Sequence, residues 1–193
     1  MAQLFGNFID ESPASHEYLI LGFSPSSIPL KQRWRNNGLS ADFLADYLTT
    51  FFPVSDSDPS TSRRQTDIRG AVSYIANELL ENAMKFNDEY SDYPISIQLQ
   101  LHHDRIIFYV TNSVSTLTVE HFQAFIKDII STDPQELYIR RLEDDVNNDG
   151  QTNSGVGLLT MINDYMATLG WKFEIVPDNS KIITVTTMVQ LTI

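Results

Sequence analysis

The chain has 193 residues, enough for one compact domain that buries roughly 70 % of its unfolded surface without crosslinks. Thirteen Lys and Arg stand against 25 Asp and Glu, a formal charge of -12, so a nucleic-acid backbone meets a repulsive field and general nucleic-acid binding is excluded. The absence of cysteine removes disulfides, thiolate metal sites and a thiol nucleophile and fits a reducing, cytoplasmic setting, and no apolar run reaches the roughly 18 residues of a membrane span.

Residues 1–16 mix turn formers with acids and show no sustained period, which predicts an irregular arm ahead of a single domain over residues 17–193. Residues 18–24, YLILGFS, read as a buried strand. After the turn SPSSIP comes a short basic segment in which Lys31, Arg33 and Arg35 surround Trp34. It can meet an acidic partner or an RNA phosphate, or be a plain surface patch with Trp34 as core anchor. Ser40 is placed to cap a helix whose Phe43, Leu44, Tyr47, Leu48 and Phe51 recur at helical spacing, and Pro53 ends it. SDSDPSTSRRQ has the composition of a surface loop, so the next helix is expected to start at Thr66 and run to about residue 87.

The strict alternation of Ile95, Ile97, Leu99 and Leu101 and the run RIIFYVTNS predict two strands around the turn candidate His103-Asp104. His102 and His103 point to opposite faces of such a strand and do not form a metal site together. Residues 118–130 carry a helical pattern, and residues 133–149 hold six acids against two arginines before opening into NNDGQTNSG, which predicts a mobile segment. Asp145, Asn147, Asp149 and Gly150 match the opening of a calcium loop, but Val156 stands at the position of its closing Glu. A helix over 156–168, stopped by Gly170, and a hairpin turning at 177–180 complete the chain. Blocks of helix alternate with hairpins. The expected class is α+β, a two-layer α/β sandwich with helices on one face of a mixed, mainly antiparallel sheet.

Within the long helix, Glu78, Asn82 and Lys85 fall at i, i+4 and i+7 and share one stripe. Ile68, Val72, Ile75, Leu79 and Phe86 occupy the neighbouring face, so the stripe borders the core. A carboxylate, an amide and an ammonium in that row can orient a hydroxyl, offer an oxygen to Mg²⁺ and neutralise a phosphate. An amphipathic helix also carries such residues beside its core for solvation alone.

ANELLENAMKF, which contains this stripe, resembles the N-box of the GHKL ATPase superfamily, whose members include histidine-kinase catalytic domains, gyrase-type ATPases and anti-sigma-factor serine kinases. The resemblance implies a Bergerat-type ATP site in which Glu78 is the general base, Asn82 binds Mg²⁺ and Lys85 contacts phosphates. NSGVGLLTMIND resembles the glycine box that ends the family's ATP lid, with Gly155 and Gly157 at glycine positions and Asn153 where a first glycine often stands; the lid then covers about 117–154. Two such glycines let backbone N–H groups approach a phosphate at a helix N-terminus, although a plain helix-entry loop also uses them. The family's Asp-x-Gly-x-Gly box is altered to VTNSVST: Asn112 stands for the adenine-reading Asp, and Val114 and Thr116 replace glycines. An Asn oxygen accepts a hydrogen bond from an adenine amino group without a charge. A small chain without a histidine-phosphotransfer helix is most similar to the anti-sigma and SiaB-like partner-switching serine kinases. That implies a regulatory role, ATP and Mg²⁺ as cofactors, a STAS-domain antagonist as partner and substrate, and a homodimer as a further option. The alternative is a pseudoenzyme that keeps the fold and binds proteins without nucleotide.

Overall fold

The computed structural model describes residues 2–10, 17–25, 34–147, 155–177, 179 and 181–193. Six strands form one sheet in the order β1-β5-β6-β4-β3-β2: β1 (Gln3–Gly6), β2 (Glu17–Phe23), β3 (Ile95–Leu101), β4 (Arg105–Val114), β5 (Thr168–Ile175) and β6 (Ile183–Thr192). Every pairing is antiparallel, so the sheet is not mixed. Five helices accompany it among the described residues: α1 (Trp34–Thr49), α2 (Pro59–Lys85), α3 (Thr116–Ser131), α4 (Pro134–Asn147) and α5 (Val156–Tyr165). None is long and apolar enough to cross a membrane.

Period-2 side-chain alternation sends Ile95, Ile97 and Leu99 of β3, Phe108 and Val110 of β4, Trp171 and Phe173 of β5 and Val189 of β6 into a single core. That core is closed by Leu44 and Leu48 of α1, Val72, Ile75, Leu79 and Leu80 of α2, Ile126 of α3 and Leu159 of α5. The class is therefore α+β in two layers, as the sequence predicts.

The N-terminus departs from the irregular arm. Residues 3–6 pair with β5, and Phe5 packs edge-on against Phe173 at 5.7 Å between ring centres. The chain then crosses the sheet face opposite the helices: Asn7 and Phe8 lie against Gly170, the Tyr109 hydroxyl donates to the Ile9 carbonyl at 3.2 Å, and Lys172 Nζ meets Asp10 at 2.7 Å. The strand over 17–23 is not buried either. It is a sheet edge, with Tyr18 and Ile20 exposed.

Helix starts are set by caps that composition hides. The supposed loop before Thr66 is the first turn of α2: the Asp58 carboxylate accepts from Ser60 N–H at 3.0 Å, and Pro59, whose missing N–H costs nothing there, occupies the first helical position. α1 likewise begins at Trp34, six residues before Ser40. The acidic stretch expected to be mobile forms α4 from Pro134 to Asn147, with the Asp133 carboxylate accepting from the N–H groups of Gln135 and Glu136 at 3.0 Å each. Asp145 and Asn147 are thus helical rather than part of a calcium loop, while Asp149 and Gly150 lie outside the described residues. α5 ends at Tyr165, before the predicted stop. Met166 takes a left-handed conformation, φ 53°, and Gly170 belongs to β5. Lys31 and Arg33 of the basic segment lie outside the described residues, and of Trp34 and Arg35 only the helical backbone is described.

Candidate functional site

α2 lies over the middle of the sheet, and its last two turns face the end of β4. The junction is fixed by Asn87, whose Oδ1 accepts from the Ser113 N–H at 3.2 Å and the Ser113 hydroxyl at 2.9 Å, while Asp88 N–H donates to the Ser113 carbonyl at 3.0 Å. Asn87 and Ser113 are both buried, so these bonds are held away from competing water.

Between this junction and helix α3 is a mostly apolar cavity of about 150 Å³. Leu79 and Ala83 of α2, Val110 of β4, Phe122 and Phe125 of α3 and Leu158 of α5 form its apolar wall. Asn82, Asn112, Thr118 and Thr187 supply polar groups, with exposed His121 at the rim. An apolar cavity of roughly 150 Å³ admits a benzene-sized ring, while sites that enclose a whole drug-sized ligand run to roughly 300 Å³ and more.

Several of the sequence-predicted residues meet here. Asn82 and Asn112 line the cavity together. Asn112 is 4 % exposed; its Nδ2 donates to the Ser113 carbonyl at 2.9 Å, and Oδ1 has no hydrogen-bond partner among the described residues. Glu78, one turn before Asn82, is half-buried beside the cavity, and its carboxylate rests on Gly157 so closely that a Cβ there would overlap it. Two residues far apart in sequence, from the N-box-like and glycine-box-like stretches, are therefore in direct contact. Burial, followed by repulsion from Glu81, pushes the Glu78 carboxyl above the usual Glu range. Neither acid has an ion-pair partner among the described residues, and Glu81 is instead bonded to the Asn77 amide at 2.9 Å.

Gly155 is the N-cap of α5 and adopts φ 104°, a conformation that favours glycine. The Phe125 ring from α3 presses on its α-carbon, and the Arg141 guanidinium from α4 lies 5.0 Å above that ring. Lys85 does not join the cluster. It is exposed, with Nζ 5.2 Å from the Phe86 ring centre. Asn153 lies outside the described residues, and the lid expected over about 117–154 is largely the helices α3 and α4.

Sequence reasoning left out the α3 wall, Thr118, His121, Phe122 and Phe125. The signal was present in the apolar spacing of TVEHFQAFIKDII, but only docking of α3 shows which side faces the cavity. It also left out Tyr74 and Tyr165, which stack at 5.2 Å beside Glu78 and whose hydroxyls are held above the usual tyrosine range chiefly by burial. Among the described residues no group of three or more His, Asp and Glu is placed to hold a metal. Among the described residues, Asn82 and the neighbouring Glu78 offer oxygens to Mg²⁺, a set that needs phosphate and water oxygens to complete an octahedron.

No protein-family model and no curated protein matches the chain. Among solved structures, a chain in the crystal structure of the SiaB–SiaC complex from Pseudomonas aeruginosa is similar to it with a TM-score of 0.51, over 91 % of this chain and 89 % of that one, at 15 % identity. At that identity the likeness is one of fold.

Proposed function

We propose that the protein is a regulatory module of partner-switching signalling with a GHKL-like nucleotide site, acting as a serine/threonine kinase on a STAS-type protein antagonist. The observation that carries this reading is the seating of the Glu78 carboxylate on Gly157, at the first turn of α5 and beside a ring-sized cavity lined by Asn82 and Asn112. The fold likeness to a chain of the SiaB–SiaC complex supports a protein partner.

The residues fit ATP·Mg²⁺ at two of its ends. The cavity takes a ring, the free Oδ1 of Asn112 accepts from an exocyclic amino group, and Asn82 offers a metal its amide oxygen. Bound ATP·Mg²⁺ supplies the phosphoryl group. Glu78 then orients the acceptor hydroxyl and takes its proton, a task suited to a carboxyl whose pKa is raised toward neutrality. At the phosphate end, the α5 N-terminus provides N–H groups once Phe125 leaves Gly155.

A second reading has a specific observation behind it. With Phe125 on Gly155, Lys85 turned to solvent and an uncharged Asn112, the same pocket suits a scaffold that binds its partner without nucleotide. Calorimetric titration with ATP·Mg²⁺ separates the two. The kinase reading expects saturable heat that is weakened by Asn82→Ala and strengthened by Phe125→Ala; no heat with either the parent or Phe125→Ala establishes the scaffold.

A further inference from the structure

We propose that Arg141 of α4, and not Lys85, is the cation that holds a phosphate group at the N-terminus of α5, and that Phe125 keeps the two apart until the phosphate enters. The inference rests on the nucleotide reading above and deepens it by assigning the phosphate end.

The start of α5 is short of acceptors. Gly155, its N-cap, is buried and has no side chain to accept from the first-turn N–H groups. The tip of the Phe125 ring rests on it, and a hydrocarbon ring is a poor acceptor for those donors. The orphan N–H groups and the helix field therefore favour an anion in the place the ring now takes. A second observation marks the same cavity as a ligand site: the Asn112 side chain is 4 % exposed, lines it together with Gly155 and Phe125, and has an Oδ1 without a partner among the described residues.

The cations around this helix start are placed differently. Lys85 is in solvent with Nζ 5.2 Å from the Phe86 ring centre, and Arg140 is turned outward to Glu136 at 2.8 Å. Arg141 follows the buried Leu137 by one helical turn, so it shares the inward stripe of α4, and its side chain is 29 % exposed. Its guanidinium carbon lies 5.0 Å from the Phe125 ring centre, and its ion pair with Asp128 spans 3.9 Å, longer than a hydrogen bond. Without the ring, the guanidinium and the start of α5 face each other across roughly 8 Å, a span that one phosphate fills with N–H···O contacts of about 2.8 Å on each side. A partly exposed cation–π contact is weaker than a charge-assisted, forked hydrogen-bonded pair, so the guanidinium exchanges ring for phosphate. Moving Phe125 out of an apolar wall offsets part of that gain, which makes a Phe125 variant the background in which Arg141 is read cleanly.

In Phe125→Ala, calorimetric titration is expected to show ATP·Mg²⁺ binding that weakens roughly tenfold or more when Arg141→Gln is added, while adenosine, which has no phosphate, binds both variants alike. Arg141→Lys recovers part of the loss, because it keeps the charge without the fork. Lys85→Gln leaves ATP·Mg²⁺ affinity unchanged. Phe125→Leu, which keeps apolar bulk but lacks the ring tip on Gly155, provides the same comparison where Phe125→Ala folds poorly. Equal ATP·Mg²⁺ affinity with and without Arg141, equal losses for ATP·Mg²⁺ and adenosine, or a Lys85→Gln loss as large as that of Arg141→Gln overturns the inference and leaves the nucleotide reading standing. No ATP·Mg²⁺ binding in either Phe125 background overturns both.

Discussion

Glu78 is held in a position that folding alone does not favour: it is half-buried, next to another acid, and unpaired by any cation among the described residues. Its folded pKa lies above the unfolded one, so the folded chain binds the proton more tightly, and stability falls as pH rises from the ordinary Glu range through the raised value. Glu78→Gln removes that cost. Thermal melts are expected to show the variant at or above the parent near neutral pH, with the difference vanishing in acid, while transfer to a partner serine or threonine is lost. A melting point several degrees lower at neutral pH would make Glu78 a structural partner and sink its catalytic role. The Glu78, Asn82 and Lys85 stripe was legible because helical periodicity fixes which side chains share a flank. What periodicity does not reach is depth along that flank, where burial declines toward the end of α2 until Lys85 is in solvent. The Glu78–Gly157 contact was equally invisible, since it is created by the docking of α5.

At the scale of elements, strands β3 to β6 and the body of α2 could be read directly, because their apolar residues repeat at the period of the structure they form. The differences fall mainly at helix boundaries and in polar stretches, with the end strands β1 and β2 and the start of β5 beside them. Asp-Pro in SDSDPSTSRRQ is a turn signal and equally a cap followed by a first-turn proline, and the second sense holds because α1 gives α2 something to pack against along its length. α4 was misread for a related reason: its charge density resembles a loop, yet Leu137 is fully buried and Asp133 caps it. Caps thus decide boundaries here. Ser115, at the end of β4, caps α3 by accepting from Thr118 N–H at 3.2 Å and so sets where Phe122 and Phe125 enter the cavity wall. Ser115→Ala is expected to cost about 1 kcal/mol, lowering the melting temperature by roughly 2–4 °C. It should also change the affinity of any cavity ligand. Unchanged melting and unchanged ligand affinity together would show that α3 is positioned by its core contacts alone.

The sheet order of the whole molecule was beyond the sequence, because it rests on pairings between distant segments, above all β1 with β5 at one edge and β2 with β3 at the other. The first two strands lie at opposite edges, and residues 7–10 leave β1 across the face opposite the helices, over β5, β6 and β4. There the Phe8 ring meets Tyr109 edge-on at 6.0 Å, and the Lys172 ammonium lies 5.8 Å from the Phe8 ring centre and bonds Asp10. The helices and the candidate site lie on one side of the sheet and this crossing on the other, so it can be loosened without touching the site. Gly170 is the point at which to do that: a Cβ there would strike the backbone of Asn7 and Phe8, which unlike a side-chain tip cannot swing aside. Gly170→Ala is expected to cost about 1–3 kcal/mol as overpacking. It should open residues 7–10 to limited proteolysis and raise amide exchange at Ile9 while leaving calorimetric binding of cavity ligands as in the parent. Proteolysis at the parent rate shows that the sheet yields instead of the crossing segment, and a parallel loss of ligand binding shows that the two faces of the sheet are energetically one unit.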